Sequence, residues 1–277
     1  MICISPITIK DPRKKGSFIS VPCGKCGACK HNRRTEWSFR LKEELMATGN
    51  AIFLTMTYAK APLTEAGIPT LNKSDTQRFM KRLRKANGKL WKKKIRYYMV
   101  GEYGTITQRP HYHAIVYNIH KDLLPMIDQI WQHGHTVAAP VNEATIHYVT
   151  KYHVNYDRSV DEKIGRAPEF ATMSRNPGIG IGYVERAGSW NHDHGNVYVM
   201  NNGFAQRMPR YYKEKIFSEI EREALAEEQQ RALETNYWKE YERLSKKGVL
   251  DPDAYMEESR YLDSLKVEKK GKERMTL

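Results

Sequence analysis

The alternation of apolar and polar positions divides the chain into short strands and longer helices. Ala51-Ile52-Phe53-Leu54-Thr55-Met56-Thr57-Tyr58 is apolar enough for a central strand, and its Thr55 and Thr57 share one side. Tyr97–Tyr103 predicts a second strand, and Arg109–Asn118 a third that is entered at Pro110. The segment Gly104–Pro110 between them has hairpin length. Along the third strand His111 and His113 point one way, and Tyr112, Ala114 and Val116 point toward a core. His135–Pro140 predicts a short edge strand.

Period-3.6 patterns predict the helices. Residues 32–48 carry Trp37, Leu41 and Leu45 at four-residue spacing, and Gly49 ends that helix. Residues 74–87 form a basic helix opened by Ser74 or Asp75, with Phe79 and Leu83 on its buried stripe. Asp122–His133 follows, with Pro125 in its first turn and Gly134 beyond its end. Ile146–Tyr152 lies in a helix that Asn142 is placed to cap. Tyr211–Leu244 predicts a long charged helix, a cover or partner helix with more Glu and Gln than bases in its middle. Residues 59–72 and 157–209 read as irregular, the latter with a Gly-rich loop at Ser174–Gly182 and a turn at Asn191–Gly195. The last dozen residues read as a disordered basic tail. We expect an N-terminal Cys-rich segment over 1–31, a main domain over 32–210 and a C-terminal helix and tail over 211–277.

Charge narrows the partners. Lys and Arg total 46 against 32 Asp and Glu, a net charge of +14 over 277 residues. That favours a polyanion. The bases cluster in 13–15, 30–40, 78–96 and 265–274, with Tyr, Trp and Phe between them suited to stacking on bases. Arg78, Arg82 and Lys85 of the basic helix, with Arg109 before the His strand, are the expected DNA contacts. No apolar run is long enough to span a bilayer and no signal peptide is evident, so the reading is a cytoplasmic protein without membrane partners.

Two clusters carry chemistry. His111 and His113 share a strand face, and Glu102 ends the preceding strand within reach of the same metal ion. Two His and one carboxylate leave positions open for water or substrate oxygens. Tyr148 and Tyr152, four residues apart on one helix face with Lys151 beside them, suggest phosphodiester chemistry with a tyrosine nucleophile. Cys23, Cys26 and Cys29 fall within seven residues, and Cys3 is the natural fourth ligand of a structural zinc site. An iron–sulfur cluster is the other option, and His31 could replace one thiol.

Together these motifs resemble those of HUH-family rolling-circle replication initiators, more narrowly those of gokushovirus-type single-stranded DNA phages. Phe53-Leu54-Thr55-Met56-Thr57-Tyr58 is similar to the family's first motif, Pro110-His111-Tyr112-His113 to its His-hydrophobic-His motif, and Tyr148-Val149-Thr150-Lys151 to its Y-x-x-K motif. The order, His pair before Tyr, is that of replication initiators. The Cys23–Cys29 cluster, Ser174–Gly180 and Pro209–Lys213 are similar to those of the phage subgroup.

The resemblance implies an α+β fold, a central antiparallel sheet with flanking helices. It implies that Tyr148 attacks the origin strand with Mg²⁺ or Mn²⁺, forming a 5′-phosphotyrosine link and freeing a 3′-OH. Tyr152 or Tyr156 would then serve strand transfer. The partners implied are single-stranded DNA at an origin and, because no P-loop is present, a helicase and polymerase of a bacterial host. The other reading is a non-catalytic single-stranded nucleic-acid binder. A zinc protein that binds a partner through its C-terminal helix is a further option.

Overall fold

The computed structural model describes residues 2–151, 161 and 163–273. The chain divides into two compact units, residues 37–182 and residues 1–36 with 183–277.

The first unit is built on five antiparallel strands. These are β3 (Ala51–Thr57), β4 (Arg96–Tyr103), β5 (Pro110–Tyr117), β6 (Thr136–Pro140) and β7 (Phe170–Met173). In the other unit, β1 (Ile7–Lys10) pairs with β2 (Phe18–Val21). The five strands lie in the order β6-β3-β5-β4-β7, so the His strand β5 is central and the 136–140 strand is an edge, as expected. Helix α1 (Gly27–Thr48) precedes β3, and α2 (Lys73–Leu90) joins β3 to β4. A 3-10 turn (Lys121–Met126) leads into α3 (Ile127–Trp131), and α4 (Glu143–Lys151) follows β6.

Strand alternation sends the two sets of side chains to opposite cores. Leu54, Met56, Met99, Tyr112, Ala114 and Val116 pack with Phe79, Met80 and Leu83 of α2 and with Ile127 and Trp131 of α3. Tyr98, Val100, Ile115 and Tyr117 pack with Leu41 of α1 and with Ile146 and Val149 of α4. The sheet is therefore covered by helices on both faces. Each large side chain so buried contributes roughly 1.5–3 kcal/mol.

Two glycines are fixed by close approach. A Cβ on Gly134 (φ +152) would lie 2.4 Å from the Thr57 carbonyl oxygen and 2.5 Å from the Ala59 nitrogen. There the backbone passes against the end of β3, with Thr57 N donating to His135 O and Ala59 N to His133 O. Gly101 has the rings of Tyr112 and Phe170 at 3.0 and 3.1 Å from a would-be Cβ, so only glycine fits beside Glu102.

Several sequence expectations are corrected. The cap of α2 is Asn72, whose side chain accepts from Ser74 N, in place of Ser74 or Asp75. Asp75 instead is buried and accepts from the Tyr58 hydroxyl at 2.7 Å. Within 157–209, described residues form β7, α5 (Gly182–Asp193) and a hairpin of β8 (Tyr198–Asn201) and β9 (Phe204–Arg207). Tertiary burial of Tyr183, Gly188 and Asn191 stabilises α5 despite its glycines, and its last turn takes in Asn191–Asp193 of the expected turn. After α6 (Arg210–Ile216), the long helix α7 runs Glu219–Lys246 behind a capping box of Ser218 and Glu221. The chain then forms α8 (Pro252–Glu273) where a disordered tail is expected. Lys and Glu are good helix formers, and Lys266 pairs with Asp263 one turn back.

Candidate active site

The register of the sheet assembles the site. In the β4–β5 ladder Glu102 stands opposite His111 and Val100 opposite His113, and in the β3–β5 ladder Thr55 stands opposite His113. Glu102 is 1% exposed and His113 6%. Glu102 Oε1 lies 2.7 Å from His111 Nε2 and 2.9 Å from His113 Nε2. The three ligand atoms lie within 4.8 Å of one another.

The outer nitrogens are held too. His111 Nδ1 donates to the Arg109 carbonyl at 3.0 Å. His113 Nδ1 is 3.0 Å from Thr55 Oγ1, so Thr55 lines the site as its strand parity allowed. With Nδ1–H so engaged, the Nε2 of a neutral His111 carries a lone pair that faces the carboxylate. Two acceptors at that distance require a proton or a cation between them. Burial lowers the pKa of His111, but the hydrogen bonds to Glu102 and to the Arg109 carbonyl outweigh it and raise it overall. Burial pushes His113 down, only partly offset by Glu102. Burial would raise Glu102, yet the two histidines hold it below the usual carboxylate range. The second carboxylate oxygen, Oε2, is buried and accepts no hydrogen bond among the described residues. One oxygen and two imidazole nitrogens, with an unsatisfied oxygen beside them, fit a divalent cation that keeps open positions.

Helix α4 brings the tyrosine. Asn142 caps it as expected, accepting from Thr145 N at 2.9 Å while Thr145 Oγ1 accepts from Asn142 N. Ile146 and Val149 are buried against the sheet, and Ser38 Oγ of α1 lies 3.1 Å from Thr150 Oγ1 and 3.3 Å from His147 Nδ1. So anchored, Tyr148 places its hydroxyl 3.3 Å from Glu102 Oε1 and 3.3 Å from His113 Nε2. Its ring stands edge-on to His113, with centroids 4.8 Å apart. Lys151 Nζ sits 3.9 Å from the centre of the Tyr148 ring. Tyr152 and Tyr156 lie outside the described residues.

The four thiols of the other unit also converge. Cys3 Sγ is 3.6 Å from Cys23 Sγ and 3.8 Å from Cys26 Sγ, and Cys23 and Cys29 are 4.0 Å apart. Disulfide sulfurs would be ~2.05 Å apart. Four thiolates at ~2.3 Å around a tetrahedral ion would stand about 3.8 Å apart. Burial raises Cys23, but the backbone N–H groups of Cys26 and Lys25 that it accepts bring it down to about 6. Burial pushes Cys29 up to about 12. His31 is outside this group of four.

Residues 51–156, which include every residue of the Glu–His–His–Tyr cluster, match the family model of the phage replication-associated protein ORF2. Three phage proteins are similar over longer spans. The replication-associated protein VP4 of Bdellovibrio phage phiMH2K is 27% identical over 245 residues, covering 77% of this chain and 76% of its own. The replication-associated protein ORF2 of Spiroplasma virus 4 is 26% identical, covering 71% and 68%. ORF4 of Chlamydia phage 1, also a replication-associated protein, is 25% identical, covering 73% and 55%. The chain belongs to the replication-associated protein ORF2 family of microvirus-type phages. No solved structure matches it.

In this replication-associated chain the four expected DNA contacts take varied positions. Arg78 is exposed but bonds Asp75 at 2.6 Å. Arg82 donates to the Ile130 and Trp131 carbonyls at 2.7 and 2.8 Å and so fastens α2 to the end of α3. Arg109 donates to the Tyr58 carbonyl, and Lys85 is exposed.

Two further residues belong to the site's surroundings. Phe53 stacks on His113 with centroids 5.4 Å apart and meets Tyr148 edge-on. Its strand parity with Thr55 was the available signal. Glu169 accepts from Tyr103 N, and burial, with the charges of Glu102 and Asp161, pushes it up to about 7. It lies in a stretch with no period, so nothing local marks it.

Proposed function

We propose that this protein is a metal-dependent endonuclease and strand transferase that nicks single-stranded DNA at a replication origin. The endonuclease is assigned to residues 32–210. The single observation that carries the reading is the Tyr148 hydroxyl within 3.3 Å of both Glu102 and His113. A non-catalytic nucleic-acid binder has no use for a phenol against a buried carboxylate and two imidazoles.

Glu102, His111 and His113 would hold Mg²⁺ or Mn²⁺. Such an ion, when bound, supplies positive charge at the non-bridging oxygens of the scissile phosphate. The chain's own groups do the rest. Tyr148 gives up its phenolic proton to solvent, and the cation of Lys151 over its ring favours the phenolate. The Oη–P bond forms as the P–O3′ bond breaks, leaving a 5′-phosphotyrosine and a free 3′-OH. The energy of the phosphodiester stays in the new link, so no nucleotide hydrolysis is required. Phe53 and Thr55 hold the His113 ring in plane, and the Ser38–Thr150 contact holds α4 in register. Tyr152 or Tyr156 is proposed for the second attack, which rejoins the displaced strand. Cys3, Cys23, Cys26 and Cys29 are proposed to bind one structural zinc ion. A helicase and polymerase in the cytoplasm of a bacterial host would extend the 3′-OH. No described helix is long and apolar enough to cross a membrane.

The test is incubation with origin-bearing single-stranded DNA and manganese, followed by denaturing electrophoresis and peptide mapping. A covalent adduct on Tyr148 is expected. DNA binding with no adduct under any metal would establish the binder instead.

A further inference from the structure

The basic helix α2 presents a face that the sequence reading did not select. Arg78 and Arg82 are engaged by Asp75 and by the end of α3. Lys73 and Arg84, eleven residues apart and so three helical turns along one face, line a different feature. This is a cavity of about 500 Å³ between α2, the start of β4 and the segment that leaves β7. Lys94, Arg96 and Arg175 complete its basic wall, and no Asp or Glu lines it. Arg96 is tied to Glu44 and to the Gly178 carbonyl and so is part of the wall's frame. Lys73, Arg84, Lys94 and Arg175 are exposed and in no salt bridge among the described residues. The Arg84 guanidinium sits 5.3 Å from the centre of the Tyr97 ring, which gives the cleft a flat aromatic floor.

Four like charges around one cleft repel one another, and nothing within it offsets them. Strand parity puts the cleft on the other side of the sheet from the metal cluster. Tyr97 and Glu102 are five residues apart on β4, so their side chains leave opposite faces. Tyr97 packs with the α2 core, whereas Tyr148 of α4 meets Glu102 on the other side.

We propose that this cleft is a second single-stranded DNA site. It grips the phosphodiester backbone of a stretch distant from the scissile phosphate, with Lys73, Arg84, Lys94 and Arg175 on phosphates and Tyr97 under a base. The proposal rests on single-stranded DNA being the substrate. The cleft is open, basic and floored by a ring, which suits a strand running through it. Its function is to anchor the strand while its cut end is held at Tyr148.

The test compares wild type with Arg84→Ala/Lys94→Ala/Arg175→Ala and with Arg84→Lys/Arg175→Lys as a charge-keeping control. Binding of a fluorescent 40-mer is measured across a salt series, beside adduct formation on a short oligonucleotide that spans only the nick site. Removing three phosphate contacts on a single strand should lower the slope of log K against log salt by about 2, or roughly a hundredfold in affinity at 0.1 M salt. The Lys control should keep the wild-type slope, and adduct formation on the short oligonucleotide should not change. An unchanged slope in the triple Ala variant, with the same melting temperature as wild type, overturns the proposal and leaves nicking intact. Loss of short-oligonucleotide adducts in wild type as well would count against the endonuclease reading itself. A nucleoside triphosphate that competes the 40-mer off wild type without affecting the triple variant would make the cleft a nucleotide pocket, also overturning the DNA assignment.

Discussion

Replacing Glu102 by Gln removes one negative charge from the buried cluster and almost nothing else. The amide keeps the volume beside Gly101 and can donate an N–H to one imidazole Nε2, so the metal-free fold should survive. Metal binding should not. Glu102 Oε1 is the one oxygen within 3 Å of both imidazoles, and its partner Oε2 has no other hydrogen bond. Even outer groups around a metal site change affinity by about 10–100-fold. A directly bound carboxylate should reach the upper end. With Mn²⁺ at about 100 times the wild-type Kd, binding stabilises wild type by about 2.7 kcal/mol, and a hundredfold weaker variant by only about 0.4 kcal/mol. The difference corresponds to about 4–5 °C in Tm for a chain of this size. Thermal unfolding with and without Mn²⁺ measures it, and nicking rate against Mn²⁺ gives the same ratio independently. A variant with the wild-type Mn²⁺ shift and the wild-type metal requirement would remove Glu102 from the ligand set. Under chelator the two proteins should differ in pH dependence. His111, with its pKa raised, stabilises below its ordinary 6.5 and loses this as pH rises through the folded value. Glu102, with its pKa lowered, stabilises above its ordinary 4.5 and loses this as pH falls through the folded value. His113 opposes both on the acid side, because burial disfavours its charge. The gap between wild type and Glu102→Gln in urea unfolding should therefore be widest from pH 4.5 to 6.5 and close above neutrality.

Four further outcomes follow from the same geometry. Tyr148→Phe keeps the contacts with His113 and Phe53, so its Tm should match wild type while single-turnover cleavage falls on the order of a thousandfold or more; adducts formed at normal rate on another tyrosine would reverse the assignment. His113→Ala should abolish Mn²⁺-dependent nicking yet retain salt-sensitive DNA binding, which gel shift and cleavage assays on one sample would separate. Cys26→Ser should reduce zinc from one per chain in native mass spectrometry and lower stability, since the metal is bound by the folded state alone; four rapidly alkylated thiols in fully stable wild type would contradict the site. Tyr58→Phe removes the donor to Asp75 Oδ2 and the partner of the Tyr112 hydroxyl 2.8 Å away, so it should cost about 1–3 kcal/mol in urea unfolding without changing metal affinity.

The sequence by itself determined the parts whose signal is local. Period-two alternation put His111, His113 and Thr55 on defined strand faces, because side chains on a strand can only alternate. Asn142 marked the start of α4, since an Asx side chain satisfies free N–H groups wherever a helix begins. The order of the His and Tyr motifs was legible for the same reason, and so was the closeness of Cys23, Cys26 and Cys29. Tertiary structure decided what depends on register and on neighbours distant in the chain. Glu102 meets His111 only because the β4–β5 hairpin aligns them, and a one-residue slip would have turned it to the other core. Glu169 enters the surroundings of the site through the β4–β7 edge, and nothing in its own stretch foretold it. The bases of α2 look alike in sequence. Whether each meets a carboxylate, a carbonyl or open cleft is set by Asp75, by the carbonyls ending α3 and by the turn after β7. Helix α5 stands on burial of Tyr183 and Asn191 against its own unit, a free energy that propensity along a glycine-containing stretch does not contain.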